Sequence, residues 1–505
     1  MQLTPDARLP QAAAPQRQRT RIDSLVLMLM FGVLLIVLPY DVFQDVDVYD
    51  WSAELLTSVG ILVYAGLRLS WIAAQGRPRL VLITFYSFIY VWVGLAATAQ
   101  LVTGRWPLDV VHMFDDILPT LMTIVVFIAC VELGYLSINW RRRDAQPPRL
   151  FQGMSFSVSD RAAAWLTVAA FGLSVIGIVV YGPSHLFVTR AEADAYNMSF
   201  GGKAYGMILE RVLRVPSLVA FTVVAYNGLR RWRRLSRSRK QFYFLMSFLL
   251  LALMLVTNYP PSLSRVWAGT VILTPLFALL PWRRIFAPGW IFALTFVLTI
   301  VFPYLDIFRN TTSIDEAFDQ LEVQSTTLEP LLTGHYDAFQ QTINGYGYVE
   351  KYDVLMGKNL LGAALFWFPR SIWTDKPLGT GMMVANSVHY SYTNLSSPLW
   401  MEFYMAFGWI GLIVMALIYG RGMGAAERLY EAGLAAHGQD HLSRVLVPYW
   451  AAFQIFLLRG DLINSFAFST FGLVMFLLAA LPSRVRLGSG AKGGDWGSLS
   501  SYERY

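Results

Sequence analysis

The chain has 505 residues, a mean hydropathy of +0.47, 55% hydrophobic residues and only 14% charged residues. Soluble domains carry about 25% charged residues, so this composition excludes an ordinary soluble protein. The single cysteine, Cys130, excludes an internal disulfide and a cysteine-ligated metal cluster. The sequence therefore predicts an all-α polytopic membrane protein.

Repeated apolar runs of about 20 residues predict about twelve transmembrane helices, the first of them uncleaved. The polar or Gly-rich tails, 1–20 and 482–505, are expected to be disordered. The first nine helices are expected within 21–305 and the last three within 399–481, with a long outer segment, 306–398, between them. The individual spans are predicted at 24–39, 55–74, 80–103, 116–138, 161–181, 207–227, 241–257, 265–281, 286–305, 399–420, 444–458 and 462–481.

The connections between these helices differ in charge from one side of the membrane to the other. Most of the 40 Lys and Arg residues fall on one side, including the run RRWRRLSRSRK at 230–240. Because cytoplasmic connections carry the excess of Lys and Arg, we predict that this side and both termini are cytoplasmic. The basic run would also suit nucleic acid, but a connection beside anionic membrane lipids explains it better, so no nucleic-acid partner is predicted.

The long outer segment is where we expect function, because loops on a rigid scaffold carry many binding and catalytic residues. It combines a polar stretch, Thr311–Thr327, with an apolar piece, Leu360–Phe368. That piece is too short to cross a bilayer, which takes about 20 residues. It predicts a short re-entrant or interfacial helix.

Five basic residues, far apart in sequence, lie near the outer ends of predicted helices. A charge at membrane depth costs about 2.5–3.5 kcal/mol unless it is paired or hydrated, and one shared anion would explain all five. Guanidinium groups bind phosphate oxygens bidentately and lysine adds a point charge, which suits a lipid diphosphate. The alternative is that each cation reaches the interface or pairs with Asp306, Asp375 or Asp461. The predicted diphosphate-binding residues are Arg265, Arg309, Arg370, Lys376 and Arg459, and Arg370 is also a predicted catalytic residue.

A second polar cluster lies in GHYDAFQQTINGYGYVEKYD at 334–353. His335 and Asp337 are two positions apart, so a helix would point them in different directions, whereas a turn would let both reach one site. Either group could deprotonate a sugar hydroxyl, and both are predicted catalytic residues, the alternative being that they are simply solvated. Aromatic rings with polar edges, and a carboxylate at the start of a span, predict glycan binding by Tyr336, Tyr346, Trp373 and Glu402.

The first outer connection, YDVFQDVDVYDWSAE, is acidic and contains Asp45 and Asp47. Such carboxylates could hold a divalent cation, but negative charge retained on the outer side is the simpler interpretation, and no metal site is predicted. The sequence has no P-loop, no GxGxxG after a strand and no HExxH. We therefore expect no cofactor and no nucleotide-driven mechanism.

Five motifs occur in this order along the chain: NYPPSLSRVWAG, FPYLDIFRNTT, GHYDAFQQTINGYGYVEKYD, FPRSIWTDKP and LRGDLINSF. Over roughly residues 250–475 the chain resembles the O-antigen polymerase (Wzy-type) family, also called oligosaccharide repeat unit polymerases, with FPRSIWTDKP as the most specific piece. The resemblance implies a glycosyltransferase of the bacterial cytoplasmic (inner) membrane. Such an enzyme joins undecaprenyl-diphosphate-linked oligosaccharide repeat units into O-antigen, capsular polysaccharide or exopolysaccharide at the outer face.

The resemblance also implies a mechanism, in which a sugar hydroxyl attacks the anomeric carbon and lipid diphosphate departs without any nucleotide. Preorganised cations would stabilise the charge on the leaving group, and His335 or Asp337 would activate the acceptor. The implied partners are the lipid-linked oligosaccharide, membrane lipids and a chain-length regulator protein.

Three other activities remain open from the sequence. A glycosyltransferase that uses a polyprenyl-phosphate sugar would explain the acidic first connection with Asp45 and Asp47. An O-antigen ligase would share the donor, although FPRSIWTDKP favours the polymerase. A transporter of lipid-linked oligosaccharides would need ionisable residues or broken helices near mid-membrane, and we expect the spans to be largely without such charges.

Overall fold

In a computed structural model of the protein, the described residues are 14–44, 46, 51–109, 116–139, 160–183, 186–188, 203–280, 286–302, 327–393, 395–435 and 441–480. These ranges are built from helices joined by turns and loops, as expected for a helical membrane protein. The helices are α1 (Ala14–Gly32, continued by Val33–Val37 and Leu38–Phe43), α2 (Ala53–Gln75), α3 (Leu80–Thr103), α4 (Ile117–Asn139), α5 (Asp160–Tyr181), α6 (Lys203–Arg231), α7 (Arg237–Thr257), α8 (Arg265–Leu279), α9 (Ala287–Val301), α10 (Ala338–Tyr352), α11 (Lys358–Ala364), α12 (Thr380–Ser387), α13 (Leu399–Ala435), α14 (Ser443–Arg459) and α15 (Leu462–Ala480).

A helix lies over each of the predicted spans. Among the described residues, seven helices are long and apolar enough to cross a membrane, namely α1, α2, α3, α4, α5, α7 and α13. The apolar helices α8, α9 and α15 are shorter. The helices α6 and α14 are more polar than these three. The buried charged residues of α6 are described below with the candidate site.

Two helices extend beyond their predicted bounds. The first helix begins at Ala14, so the predicted disordered tail 1–20 is helical in its last part, where Pro15 suits a first turn and Gln and Arg favour a helix. The helix α13 continues to Ala435 instead of ending near residue 420, because the stretch RGMGAAERLYEAGLA is rich in strong helix formers. The predicted tail 482–505 lies outside the described residues.

The helix α3 forms the centre of the bundle, and its most apolar window is entirely buried. Its large side chains, such as Phe88 and Trp92, stack on one another at 4.8 Å between ring centroids. The helices α4 and α13 approach each other closely at Gly134 and Gly420. A Cβ on Gly134 would overlap the carbonyl oxygen of Leu417, so only glycine permits this helix contact.

Ionisable side chains lie inside the helix bundle, contrary to the expectation of spans largely without charge. Arg68 and Tyr86 both bond to the carboxylate of Glu132. Glu427 is 4% exposed, and it accepts hydrogen bonds from the Leu82 amide and from the hydroxyl of Tyr135, itself bonded to Arg79. Arg68 and Glu132 each stand alone within an apolar run, so hydropathy does not reveal their pairing.

The described part of the outer segment covers one end of the bundle, which we call the outer end; the opposite end is the inner end. It docks where α13 is interrupted by the non-helical residues Phe407 and Gly408. The interruption exposes the carbonyl groups of Met405 and Ala406, which accept hydrogen bonds from the amides of Leu355 and Gly357 at 2.8 and 3.0 Å. The predicted short helix is present as α11, which ends at Ala364 rather than at residue 368.

Candidate functional site

A turn at the outer end presents His335 and Asp337 just before α10 begins. Two side chains of α3 hold its backbone in place. The indole of Trp92 donates to the carbonyl of His335 at 3.1 Å. The side-chain amide of Gln100 donates to the carbonyl of Tyr336 at 3.0 Å. His335 and Asp337 thus lie in a turn, and that both reach one site stays a prediction.

Arg459, the last residue of α14, binds this turn. Its Nη2 lies 3.1 Å from Oδ1 of Asp337 and 3.2 Å from the carbonyl oxygen of Gly334. The Asp337 side chain is 3% exposed and the Arg459 side chain is 20% exposed, so solvent screens this ion pair weakly. The buried Nε of Arg459 has no hydrogen-bond partner among the described residues, which leaves a donor for an anion.

Arg265, the first residue of α8, also lies near this turn. Its guanidinium carbon is 5.2 Å from the ring centroid of Phe302. Burial first, and then the positive charges of Arg265 and Arg459, lower the pKa of His335 to about 3. The imidazole is therefore neutral at physiological pH and too weak a base to be an efficient general base there. We call Arg265, His335, Asp337 and Arg459 the outer cluster.

The helix α6 adds a buried ion-pair group that the sequence analysis missed. Glu210 lies 2.8 Å from Arg211 and 2.9 Å from Arg214, and all three residues are at most 8% exposed. The signal was available, because ILERVLRV places three charges within one turn and a half of a buried helix, where ionisable residues usually serve function.

This group is connected to the helices that carry the outer cluster. The guanidinium of Arg211 stacks 4.0 Å over the ring of Phe468 in α15. Arg214 contacts both the carbonyl oxygen and the hydroxyl of Ser262 at 3.4 Å, three residues before Arg265. Arg211, Arg214, Arg265 and Arg459 therefore all lie in the outer part of the bundle.

Arg370 and Lys376 were predicted to bind an anion. In the structure, both bind carbonyl groups of their own loop. The ammonium of Lys376 donates to the carbonyls of Phe366 at 2.7 Å and Phe368 at 3.0 Å. Arg370 donates to the carbonyls of Lys376 and Pro377. Burial first, and then Arg370, lower the pKa of Lys376. These two cations therefore close the loop 366–377, and within the described ranges neither has a carboxylate partner.

Glu402 is 1% exposed, whereas the sequence predicted that it contacts a glycan. Its carboxylate accepts hydrogen bonds from the amide of Leu462 at 2.9 Å, from the side chain of Asn359 at 3.0 Å and from the hydroxyl of Thr380. Because these residues belong to α15, α11 and α12, Glu402 joins the outer segment to the bundle. Its role is to position these elements.

The predicted aromatic glycan contacts are scattered. Tyr336 is fully buried and its hydroxyl donates to the carbonyl of Leu298 at 2.6 Å, so it anchors the turn. Tyr346, in α10, stacks on Tyr404, in α13, with 5.5 Å between the ring centroids. Trp373 is partly exposed in the loop closed by Arg370.

Several predicted residues cannot be placed, since Arg309, Asp45 and Asp47 lie outside the described residues. Across the described ranges, no group of three His, Cys, Asp or Glu side chains has the arrangement of a metal site. The outer cluster thus offers two guanidinium groups, one carboxylate and one neutral imidazole, which suit a phosphorylated ligand with an adjacent hydroxyl.

The chain has no match among protein-family models, curated proteins or solved structures.

Proposed function

We propose that this protein polymerises oligosaccharide repeat units carried on a lipid diphosphate, undecaprenyl diphosphate being the carrier that the motif resemblance implies. The observation that carries the proposal is the outer cluster, in which Arg265 and Arg459 flank the turn that bears His335 and Asp337. The proposed setting is the outer face of a bacterial inner membrane.

The chemistry of the reaction asks for such a cluster. The oxygen of an acceptor hydroxyl forms a bond to the anomeric carbon, while the bond from that carbon to the diphosphate oxygen breaks. The diphosphate leaves with the bonding electron pair, and its growing negative charge is stabilised by guanidinium groups already in place. In this proposal Arg265 and Arg459 perform that role.

The hydroxyl proton also needs an acceptor. The low pKa of His335 makes its ring a poor base, so Asp337 is the proposed proton acceptor. The ion pair with Arg459 holds the Asp337 carboxylate in place. His335 in its neutral form is left as a hydrogen-bonding residue for sugar hydroxyls or phosphate oxygens.

The outer segment also presents apolar side chains suited to a lipid–water boundary. Trp367 is 56% exposed and Ile372 is 70% exposed, on either side of Arg370. Tryptophan beside a cation is typical of the interfacial region of a membrane, where the carrier's diphosphate would lie. This placement supports a substrate that reaches the site from the bilayer.

A direct assay tests the proposal. Purified protein is given a lipid-diphosphate-linked repeat unit without nucleotide sugar, and the products are separated on a gel. A ladder spaced by one repeat unit supports the polymerase. Folded protein with a verified native repeat unit that gives no ladder contradicts it.

One observation favours a second candidate, a transporter of lipid-linked oligosaccharides. The buried ion pairs of Glu210 and the half-buried pair of Arg68 with Glu132 are features that transporters place inside the membrane, and α3 and α9 contain π-helical segments. Reconstituted vesicles separate the two candidates. Movement of the lipid-linked unit between leaflets without chain growth favours transport, and chain growth favours the polymerase.

A further inference from the structure

An apolar groove opens between α6, α7 and α8 at the inner end of the bundle. It has a volume of about 600 Å³, within the range of about 300–1,000 Å³ typical of ligand pockets. Its walls are almost entirely apolar, with one charged residue, Arg233, at its rim. The lining residues used below are Phe221, Leu229, Arg233, Phe244 and Ser247.

The groove has the length of one membrane leaflet. Phe221 and Arg233 are twelve positions apart, which corresponds to about 18 Å along a helix. Half of a hydrocarbon core is about 15 Å thick. A groove of this length therefore extends from the interface to about the middle of a bilayer, the depth that a single acyl chain spans.

The mouth of the groove is strongly basic. The residues from Arg230 to Lys240 contain seven Lys or Arg residues in RRWRRLSRSRK, and Arg231 and Arg239 pair with Asp160. Arg233 and Arg234 are exposed and form no ion pair or hydrogen bond with the described residues. Trp232 lies between the two arginine pairs at the position that tryptophan favours at a membrane interface.

We propose that this groove is a binding site for one anionic phospholipid of the inner leaflet. The acyl chain lies along Phe221, Leu229 and Phe244, and Arg233 binds the phosphate at the rim. Basic pockets between transmembrane helices bind anionic headgroups, and each Lys or Arg near the surface contributes attraction. A zwitterionic lipid would fill the same groove but would gain less from Arg233.

The neighbouring arginines give a matched comparison. Arg233 lines the groove and Arg234 does not, yet each substitution by alanine removes one exposed positive charge. Native mass spectrometry of the full chain in neutral detergent, with added phosphatidylglycerol or phosphatidylcholine, measures binding. We expect Arg233→Ala to weaken phosphatidylglycerol binding about fivefold and Arg234→Ala to have a clearly smaller effect.

A second variant tests the groove itself. Ser247→Trp places a large ring in the groove without changing charge, and it should abolish retention of phosphatidylglycerol while the thermal midpoint stays near that of the wild type. If this variant does not fold, Ser247→Leu is measured by the same criterion. The proposal is overturned if Arg234→Ala weakens binding as much as Arg233→Ala, or if the folded groove variant keeps full phosphatidylglycerol binding.

Discussion

At the scale of single residues, the outer cluster depends on a carboxylate and a guanidinium that neutralise each other in a poorly solvated place. Asp337 is almost fully buried, and Arg459 supplies both its ion pair and a bond to the turn. Removing one partner of such a pair leaves an uncompensated charge, which is more costly than losing both partners.

A double-mutant cycle tests the pairing of Asp337 with Arg459. Arg459→Ala leaves Asp337 buried without its partner and should lower the free energy of unfolding by about 3–5 kcal/mol. The double variant Asp337→Ala, Arg459→Ala should lose less than the sum of the two single losses. Thermal unfolding of purified protein in detergent measures the cycle, and additive losses would contradict the pairing.

His335 predicts a dependence of stability on pH. Its pKa is lowered from an ordinary value of about 6.5 to about 3 in the folded protein. The unfolded chain therefore takes up the proton first, so stability that is full above about pH 6.5 declines as the pH falls toward 3.

The variant His335→Gln cannot take up that proton, so its thermal midpoint should fall less steeply than that of the wild type between pH 6.5 and 3. Comparing the two proteins cancels the titration of the carboxylates they share. Equal slopes in this window would show that His335 is not held neutral by its surroundings.

At the scale of elements, Glu402 links α11, α12 and α15 to α13. Glu402→Ala would leave several buried donors without an acceptor, at about 1–3 kcal/mol each. We expect lower stability and faster protease cleavage in the loop 366–377, measured by limited proteolysis followed by mass spectrometry.

Glu402→Gln is the matched control and should have a smaller effect. A glutamine oxygen can still accept from Leu462 and Thr380. Oδ1 of Asn359 has no hydrogen-bond partner in the described part of the chain, so the Asn359 amide can turn to accept from the glutamine. Equal cleavage rates for Glu402→Ala and the wild type would remove Glu402 from this positioning role.

Hydropathy predicted where the helices lie but not what each charged residue does. Apolar runs reveal helices directly, because length and hydropathy are properties of local sequence. The carbonyl contacts of Lys376 and the docking of the outer segment on the interrupted α13 depend on residues distant in sequence or on backbone shape. The cations of the motif FPRSIWTDKP were predicted to bind an anion, and in the structure they bind carbonyl groups of their own loop.

At the scale of the whole molecule, the basic residues divide between two ends. At the inner end they lie in connections that the predicted topology places in the cytoplasm, and one of them borders the groove proposed to bind a lipid. At the outer end, Arg265 and Arg459 both lie near His335 although α8 and α14 are far apart in sequence. Sequence alone nominated both residues, and the group of Glu210, Arg211 and Arg214 could have been found from its spacing in α6.

The ladder assay on single arginine variants tests most directly whether the outer cluster carries out polymerisation. Wild type and Arg234→Ala, an exposed arginine at the inner end, should give full ladders. Arg265→Ala should remain folded and lose the ladder by at least about a hundredfold, the loss typical of removing one donor to a developing oxyanion. Arg265→Lys should retain part of it. A full ladder from folded Arg265→Ala, or none from the wild type with its native repeat unit, would contradict the claim.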